Sequence, residues 1–475
     1  MAPTQKILGR RPITLEDALG EEFNMLERLV HAPAVEKLYQ ELSDQTPVIE
    51  ALTRHHLGLG SGDTCNVCAR AASPSKVVFH CPMPNKVAEQ KHPGTVDEKL
   101  GCEVGAYIWV EEQCPEIRTP HRYGFGFTDR HLPFLTRVVR RFWRSIHQLL
   151  GRPLLSNYIP HPPRQKAALG AYMILEYFGP DTGVMLSNTF PTQRSDPARR
   201  QRLFKGIAQI MLSLARVPQP RIGAFRFHDD GTITLTNRPL TCSMMILEND
   251  GAARTMQPGD TYGCTDAFVS ETLTFHDRRF LSQPNAVFDE RDCRAQMAVK
   301  AVLRILSHVY VRRDLREGPF PLQLTDFHAS NIFVDEEWNV TGLVDLKWLC
   351  ALPAEQLDVP YWLTGCSIDH IEGEKLEEFD VTRREFMGVF DAVERAAAGK
   401  GRAPRGLELS RIMREVWESK GTWFWHSLSS ANAMYLLLET HFVWSVDSDE
   451  VVQKKVADKK AYDEDLKRVF AGTGP

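Results

Sequence analysis

The stretch Leu324-Thr325-Asp326-Phe327-His328-Ala329-Ser330-Asn331-Ile332-Phe333-Val334-Asp335-Glu336-Glu337-Trp338-Asn339-Val340-Thr341-Gly342-Leu343-Val344-Asp345-Leu346-Lys347 holds two short apolar runs, 331–335 and 340–345. Glu336, Glu337, Trp338 and Asn339 lie between them as turn material. Two such runs around a turn predict a β-hairpin. An antiparallel ladder centred near Trp338 sets Asn331 opposite Asp345, where paired positions are about 5 Å apart. Amide and carboxylate oxygens at the open end of one hairpin suit a hard cation such as Mg²⁺. Asn331 and Asp345 are therefore the candidate metal ligands.

Asp326 precedes Asn331 by five positions. Asp, any four residues, Asn is the spacing of the kinase catalytic loop, and Asp345 falls where that chemistry has its second metal-binding Asp. There the first Asp accepts the proton of the attacking hydroxyl, and the other two hold metal against the phosphates. Asp326 is the candidate catalytic residue. The plainer alternative is that Asp and Asn stand at strand ends as turn residues. The hairpin favours the chemical reading, because it brings the two oxygen ligands together.

The same stretch, with Leu343-Val344-Asp345-Leu346-Lys347-Trp348, resembles the large fungal branch of the aminoglycoside phosphotransferase family. Further matching pieces are Arg221-Ile222-Gly223, Asn237-Arg238-Pro239-Leu240-Thr241, Pro360-Tyr361-Trp362-Leu363-Thr364 and Gly421-Thr422-Trp423-Phe424-Trp425. The resemblance runs from about Leu57 to about His441. It implies an α+β, bilobal, protein-kinase-like fold, with a small mixed β-sheet N-lobe and a mainly helical C-lobe. It implies ATP-dependent phosphoryl transfer to a hydroxyl of a small molecule, with Mg²⁺; the choice between ATP and GTP stays open. The implied organisation is an N-terminal helical extension over 1–57, a nucleotide-binding lobe over 58–178 with a basic insertion near 130–165, and a catalytic and substrate lobe over 179–475.

Composition sets broad limits. The chain has 475 residues and a net charge of −4, with no basic excess to attract nucleic acid. Ten scattered cysteines form no disulfide framework, as in a reducing compartment. Cys65-Asn66-Val67-Cys68 has no second pair at finger spacing, which argues against zinc. No secretory h-region follows Met1, and no apolar run reaches the roughly 18 residues of a membrane span. A cytoplasmic protein without a membrane span is expected.

Taken in order, residues 12–57 read as helix, with Leu26, Leu29 and Val30 on one stripe. Gly58 to Thr64 is glycine-rich, and Gly60, Ser61 and Gly62 are candidates to bring backbone amides onto phosphates. A strand follows at 76–81, and His80 occupies the place of its phosphate-binding cation. Residues 96–114 read as a helix, with Leu100, Val104, Tyr107 and Ile108 at helical spacing and Glu103 as partner of the strand cation. A basic amphipathic helix is expected over 134–150. The strand 172–178 leads to the hinge, where the backbone of Glu176, Tyr177 and Phe178 would read the adenine edge. Helices are expected at 201–216, 292–310, 374–398, 407–420 and 422–443. A hairpin is expected around Asp229-Asp230-Gly231. Trp348, Glu355, Asp358 and Trp362 are candidates for the acceptor pocket, the two tryptophans being the more core-like.

Two positions depart from the family pattern. Leu324 stands where the catalytic loop has His, a packing position. His80 stands where the family has Arg or Lys, and Lys76, about 13 Å along the strand, is too far to replace it. Neutral at cytosolic pH unless phosphate raises its pKa, His80 weakens the expected nucleotide grip. A pseudokinase-like binding protein on the same fold is the second expectation.

Overall fold

The computed structural model describes residues 24–60, 76–126, 171–284, 286–404 and 406–430, with shorter stretches at 6–8, 11–14, 63–67, 128–131, 142–143, 145–147, 149–156, 158–160, 433–442 and 457. The architecture is α+β: several small antiparallel sheets set among helices. Among the described residues, no helix is long and apolar enough to cross a membrane.

The expected helical region 12–57 resolves into two helices, α1 (Met25–Asp44) and α2 (Thr46–Leu57), while residues 11–13 pair with 6–8 as a strand. Asn24 caps α1 by accepting from the Glu27 amide. Gly58, at φ 67°, closes α2 in the left-handed conformation that glycine adopts without steric cost. β1 (Val77–His80) comes next, then α3 (Thr95–Gln113). The Glu89 carboxylate accepts from the Gly94 and Val96 amides at 2.8 and 2.7 Å, satisfying donors that a helix start leaves open.

α3 is buried on every face from Leu100 to Val110, so it is a central helix rather than an amphipathic one. β2 (Arg122–Phe125), β3 (Leu154–Leu155), β4 (Met173–Glu176) and β5 (Val184–Met185) follow. β4 lies between β1 and β2 in a three-stranded antiparallel sheet that pairs His80 with Met173 and Val77 with Glu176. The expected basic helix over 134–150 falls largely outside the described residues.

α4 (Pro197–Ala215) starts at Asp196, whose carboxylate accepts from the Ala198 and Arg199 amides. β6 (Gly223–Phe227) and β7 (Thr232–Asn237) form the expected hairpin, its turn tightened by Asp230 accepting from the Thr232 amide at 2.8 Å. Three helices follow: α5 (Cys242–Asn249), α6 (Thr265–Ser282) and α7 (Glu290–Tyr310). Next come β8 (Leu322–Leu324), β9 (Ile332–Val334), β10 (Val340–Leu343) and β11 (Leu349–Ala351). A five-stranded sheet has the order β8-β11-β6-β7-β3, and a three-stranded sheet the order β10-β9-β5.

The chain ends in α8 (Gly373–Gly399), α9 (Leu409–Glu418), α10 (Gly421–Ser429) and α11 (Met434–His441). The single helix expected over 422–443 is thus two helices. α3 packs on β6, where Trp109 stacks on Phe225 with ring centroids 5.3 Å apart. Gly105 permits the approach: a Cβ there would sit 3.0 Å from that of Phe225. β3, from the expected insertion, adds to the sheet of β6 and β7.

Candidate functional site

The hairpin β9–β10 forms, one register step from the expected pairing. Ile332 pairs with Leu343 and Phe333 with Gly342, and the Val344 amide donates to the Asn331 carbonyl at 2.9 Å. Asn331 therefore faces Val344, and Asp345 lies one residue further out. The turn explains the slip. Asp335 and Asn339 close a three-residue loop, and its last residue, Trp338, takes the left-handed conformation at φ 63°, an arrangement common in three-residue hairpins. A bulge between Phe333 and Val334 then shifts the ladder again. Trp338 accepts this conformation because its side chain is buried, stacked on Phe190 and donating through Nε1 to Thr189 at 3.1 Å.

Asp345 sits just past the end of β10, also left-handed, at φ 65°. Such a conformation in a residue other than glycine persists only where its surroundings enforce it. Here its amide donates to the Tyr107 hydroxyl of α3 at 2.9 Å. One carboxylate oxygen, Oδ2, is bonded to Lys347 Nζ. The other, Oδ1, is buried without a hydrogen-bond partner among the described residues. Asn331 is buried, and its Nδ2 donates to the Asp326 carbonyl at 2.9 Å, which directs the amide oxygen away from that carbonyl. The loop carrying Asp326 is anchored where Thr325 donates twice, by amide and hydroxyl, to the Trp348 carbonyl. His328 Nε2 lies 3.5 Å from Asp326 Oδ1.

His80 faces Glu103, with Nε2 3.6 Å from Oε2. Burial lowers the His80 pKa, but the Glu103 carboxylate more than offsets this, and the imidazole is held above its usual value. Burial works to raise the Glu103 pKa; His80, Lys347 and Lys99 together hold it below the ordinary range. Lys76, whose ammonium lies 5.3 Å from the Tyr177 ring centroid, takes no part.

Two cations at this site carry no role in the sequence reading. Lys99, one helical turn before Glu103, is buried, with Nζ donating to the Lys86 carbonyl at 3.1 Å and lying 5.2 Å from the Trp348 ring centroid. Burial, with the charge of Lys347, pushes its pKa down to about 8. Burial lowers the Lys347 pKa too, but Asp345 and Glu103 outweigh it and the net shift is upward. The Lys-x-x-x-Glu spacing of 99 and 103 was the available signal, since residues four apart share a helix face.

The glycine-rich and hinge candidates are placed differently. Ser61 and Gly62 lie outside the described residues. The Gly60 amide already donates to Asp63 at 2.7 Å, and its carbonyl accepts from Arg54. Glu176 is held by Arg118 and by the His121 amide, both at 3.0 Å. Tyr177 is exposed, whereas Phe178 is buried with its ring edge-on to Phe333 of β9. Of the acceptor-pocket candidates, Asp358 and Trp362 line a cavity of ≈ 610 Å³ that also borders Asp326. Trp348 and Glu355 do not line it: both are buried, and Glu355 accepts from the Arg312 amide. The cavity's helical wall, including His276, was not legible as a site from sequence.

Among the described residues, no group of three or more His, Cys, Asp or Glu is arranged to hold a metal ion. The hairpin leaves Asn331 at its open end and Asp345 one residue beyond its pairing partner Val344, and Asp326 stands apart on the loop before it. Comparison with protein-family models, curated proteins and solved structures returned no match.

Proposed function

We propose that the chain is a bilobal, protein-kinase-like phosphotransferase of the aminoglycoside phosphotransferase type. It would move the γ-phosphoryl group of ATP, or GTP, to a hydroxyl of a small molecule with Mg²⁺. One observation carries this reading: the buried Oδ1 of Asp345 has no hydrogen-bond partner, on a residue held left-handed beside a lysine. A buried oxygen without a hydrogen-bond partner is costly, and Lys347 meets only the other oxygen, Oδ2, so a metal ion would satisfy Oδ1. The donor set fits a hard metal, with Asp345 and Asn331 as its protein ligands. Bound Mg²⁺ would neutralise phosphate charge and align the phosphates.

The other roles belong to the chain's own side chains. Asp326, a quarter exposed beside the cavity, orients the acceptor hydroxyl and takes its proton. Asn331 fixes the backbone of Asp326 through its Nδ2. His80, whose pKa Glu103 holds above its usual value, and buried Lys99 would supply positive charge where the family strand supplies Lys or Arg. The order of small antiparallel sheet, buried glutamate helix and largely helical remainder also supports the bilobal reading.

A binding protein with poor turnover is the second reading. It is favoured by His80 in the cation position and by the engaged Gly60 amide. Thermal shift against ATP and GTP, with Mg²⁺ or with EDTA, tests the first reading. A rise in Tm that requires Mg²⁺ is expected, followed by phosphorylated product in an acceptor screen. No response to either nucleotide at millimolar concentration would leave the binding protein as the better account.

A further inference from the structure

The cavity beside Asp326 has a definite chemical character. Its apolar wall comes from Met211 and Leu214 of α4, Met244 and Leu247 of α5, and Phe268 and Phe275 of α6. No Lys or Arg lines it among the described residues. A phosphorylated or carboxylated acceptor would therefore find no permanent cation. Its other carboxylates each stand near a histidine: Asp358 Oδ2 lies 3.3 Å from His426 Nε2, and Asp250 Oδ1 3.8 Å from His31 Nε2. A polycationic acceptor would press its charges against an apolar wall, at a heavy desolvation cost.

Asp358 Oδ2 and Trp362 Nε1 at the cavity lack hydrogen-bond partners among the described residues, and so does one group on its helical wall. His276 is 4% exposed. Its Nε2 lies 2.8 Å from the Leu428 carbonyl, which can only accept, so Nε2 carries the hydrogen. Burial pushes its pKa down to about 4, so the ring is neutral. Nδ1 is then a bare lone pair, buried and without a hydrogen-bond partner among the described residues. Buried acceptors are rarely left in that state, and a donor on a bound molecule would satisfy it.

We propose that this cavity takes a drug-sized, uncharged, largely apolar molecule with at least two hydroxyls, one meeting Asp326 and the other donating to Nδ1 of His276. The size follows from a volume in the range of small-molecule sites. The inference rests on the phosphotransferase reading for what happens at the first hydroxyl. Its oxygen forms a bond to the γ-phosphorus while the bond from that phosphorus to the β,γ-bridging oxygen breaks. The hydroxyl proton passes to the Asp326 carboxylate, and ADP carries away the bridging electron pair. The second hydroxyl does no chemistry and sets the orientation.

Paired ligands test the cavity without nucleotide. Androstane-3β,17β-diol and 1,10-decanediol are titrated by calorimetry against the wild-type chain beside androstan-3β-ol and 1-decanol. Kanamycin and glucose 6-phosphate serve as charged comparators. A preference for diol over mono-ol of about tenfold to a hundredfold is expected in at least one pair, the worth of filling an unsatisfied buried acceptor. His276→Phe should abolish that preference. Leu214→Trp, which fills the cavity, should weaken both by at least about tenfold, so the test survives if one variant fails to fold. Equal binding within both wild-type pairs, tighter binding of either charged comparator, or an unchanged diol affinity in the filled variant would overturn the inference. MgATP binding and ³²P transfer are measured separately. A diol preference without either would overturn the phosphotransferase reading and leave the cavity's ligand class standing.

Discussion

His80 presents an imidazole to a carboxylate that is 2% exposed, and that carboxylate holds the imidazole pKa above its usual value. Its raised pKa means that the charge is present at and below about pH 6.5 and is lost as pH rises through the folded value. The charged groups acting on it are Glu103 from α3, with Lys347 and Asp345 from the segment after β10. MgATP affinity should therefore improve as pH falls from about 8 towards about 6. His80→Arg should lose most of that dependence and bind up to about a hundredfold tighter. Calorimetry at two pH values reads both effects, and a pH-independent wild type would remove His80 from the site. Lys99 gives a complementary test. Its ammonium is buried against a falling pKa, so Lys99→Met should stabilise the unliganded chain by about 1 to 3 kcal/mol in urea unfolding. The same substitution should weaken MgATP binding, a trade-off that a purely structural lysine would not produce. Asp326→Ala should cost about 10² to 10⁴ in turnover with nucleotide binding nearly intact. Asp345→Ala should lose the Mg²⁺-dependent part of that binding.

Elements decide how well these residues meet, and the β9–β10 hairpin is the instructive case. Its existence was legible because two apolar runs around polar residues are a local signal, and Asp326, Asn331 and Asp345 follow from its ends. The register was not legible. Nothing in the sequence announces that Trp338 will turn left-handed, because the compensation comes from Thr189 and Phe190, far along the chain. Trp338→Ala should thus cost about 3 to 5 kcal/mol, chiefly from lost burial, measured by denaturant unfolding. Asp335→Ala, which removes acceptors for the Glu337 and Asn339 amides on the exposed side of the turn, should cost about 1 kcal/mol. Comparable losses in the two variants would mean that the turn, and not the tryptophan's packing, holds the register. α3 shows the same divide: its helical spacing is readable at Leu100 and Val104, whereas its burial on all faces depends on β6, more than a hundred residues later.

Across the whole molecule, α3 is tied to the following half by a buried charge cluster. Arg238, fully buried at the end of β7, donates to Glu98 of α3 at 2.8 and 3.1 Å and to Glu248 of α5 at 3.0 Å. Arg254 completes the cluster on Glu248 at 2.7 Å, so two arginines balance two carboxylates. The motif Asn237-Arg238-Pro239-Leu240-Thr241 was visible in the sequence as a matching piece, but its role was not, since its partners lie on two other elements. Glu98 immediately precedes Lys99, with Glu103 a little over one turn further along α3 and Tyr107 a turn beyond that. Arg238→Met leaves Glu98 without its arginine and two carboxylates to share Arg254. Removing one member of such a buried group should cost about 3 to 5 kcal/mol. The double variant Arg238→Met with Glu98→Gln, which removes one charge of each sign, should recover part of that loss. If α3 is the frame of the site, the single variant should also weaken MgATP binding at temperatures where it remains folded, because Lys99 and Glu103 move with the helix. Breaking an outer pair with Arg384→Ala, where Arg384 is 65% exposed beside Asp380, should change neither quantity appreciably. Unfolding curves and MgATP titrations on the three variants separate a general loss of stability from the loss of a positioned site. Weakened binding in the single variant that persists unchanged in the stabilised double would assign the effect to the position of α3 rather than to stability.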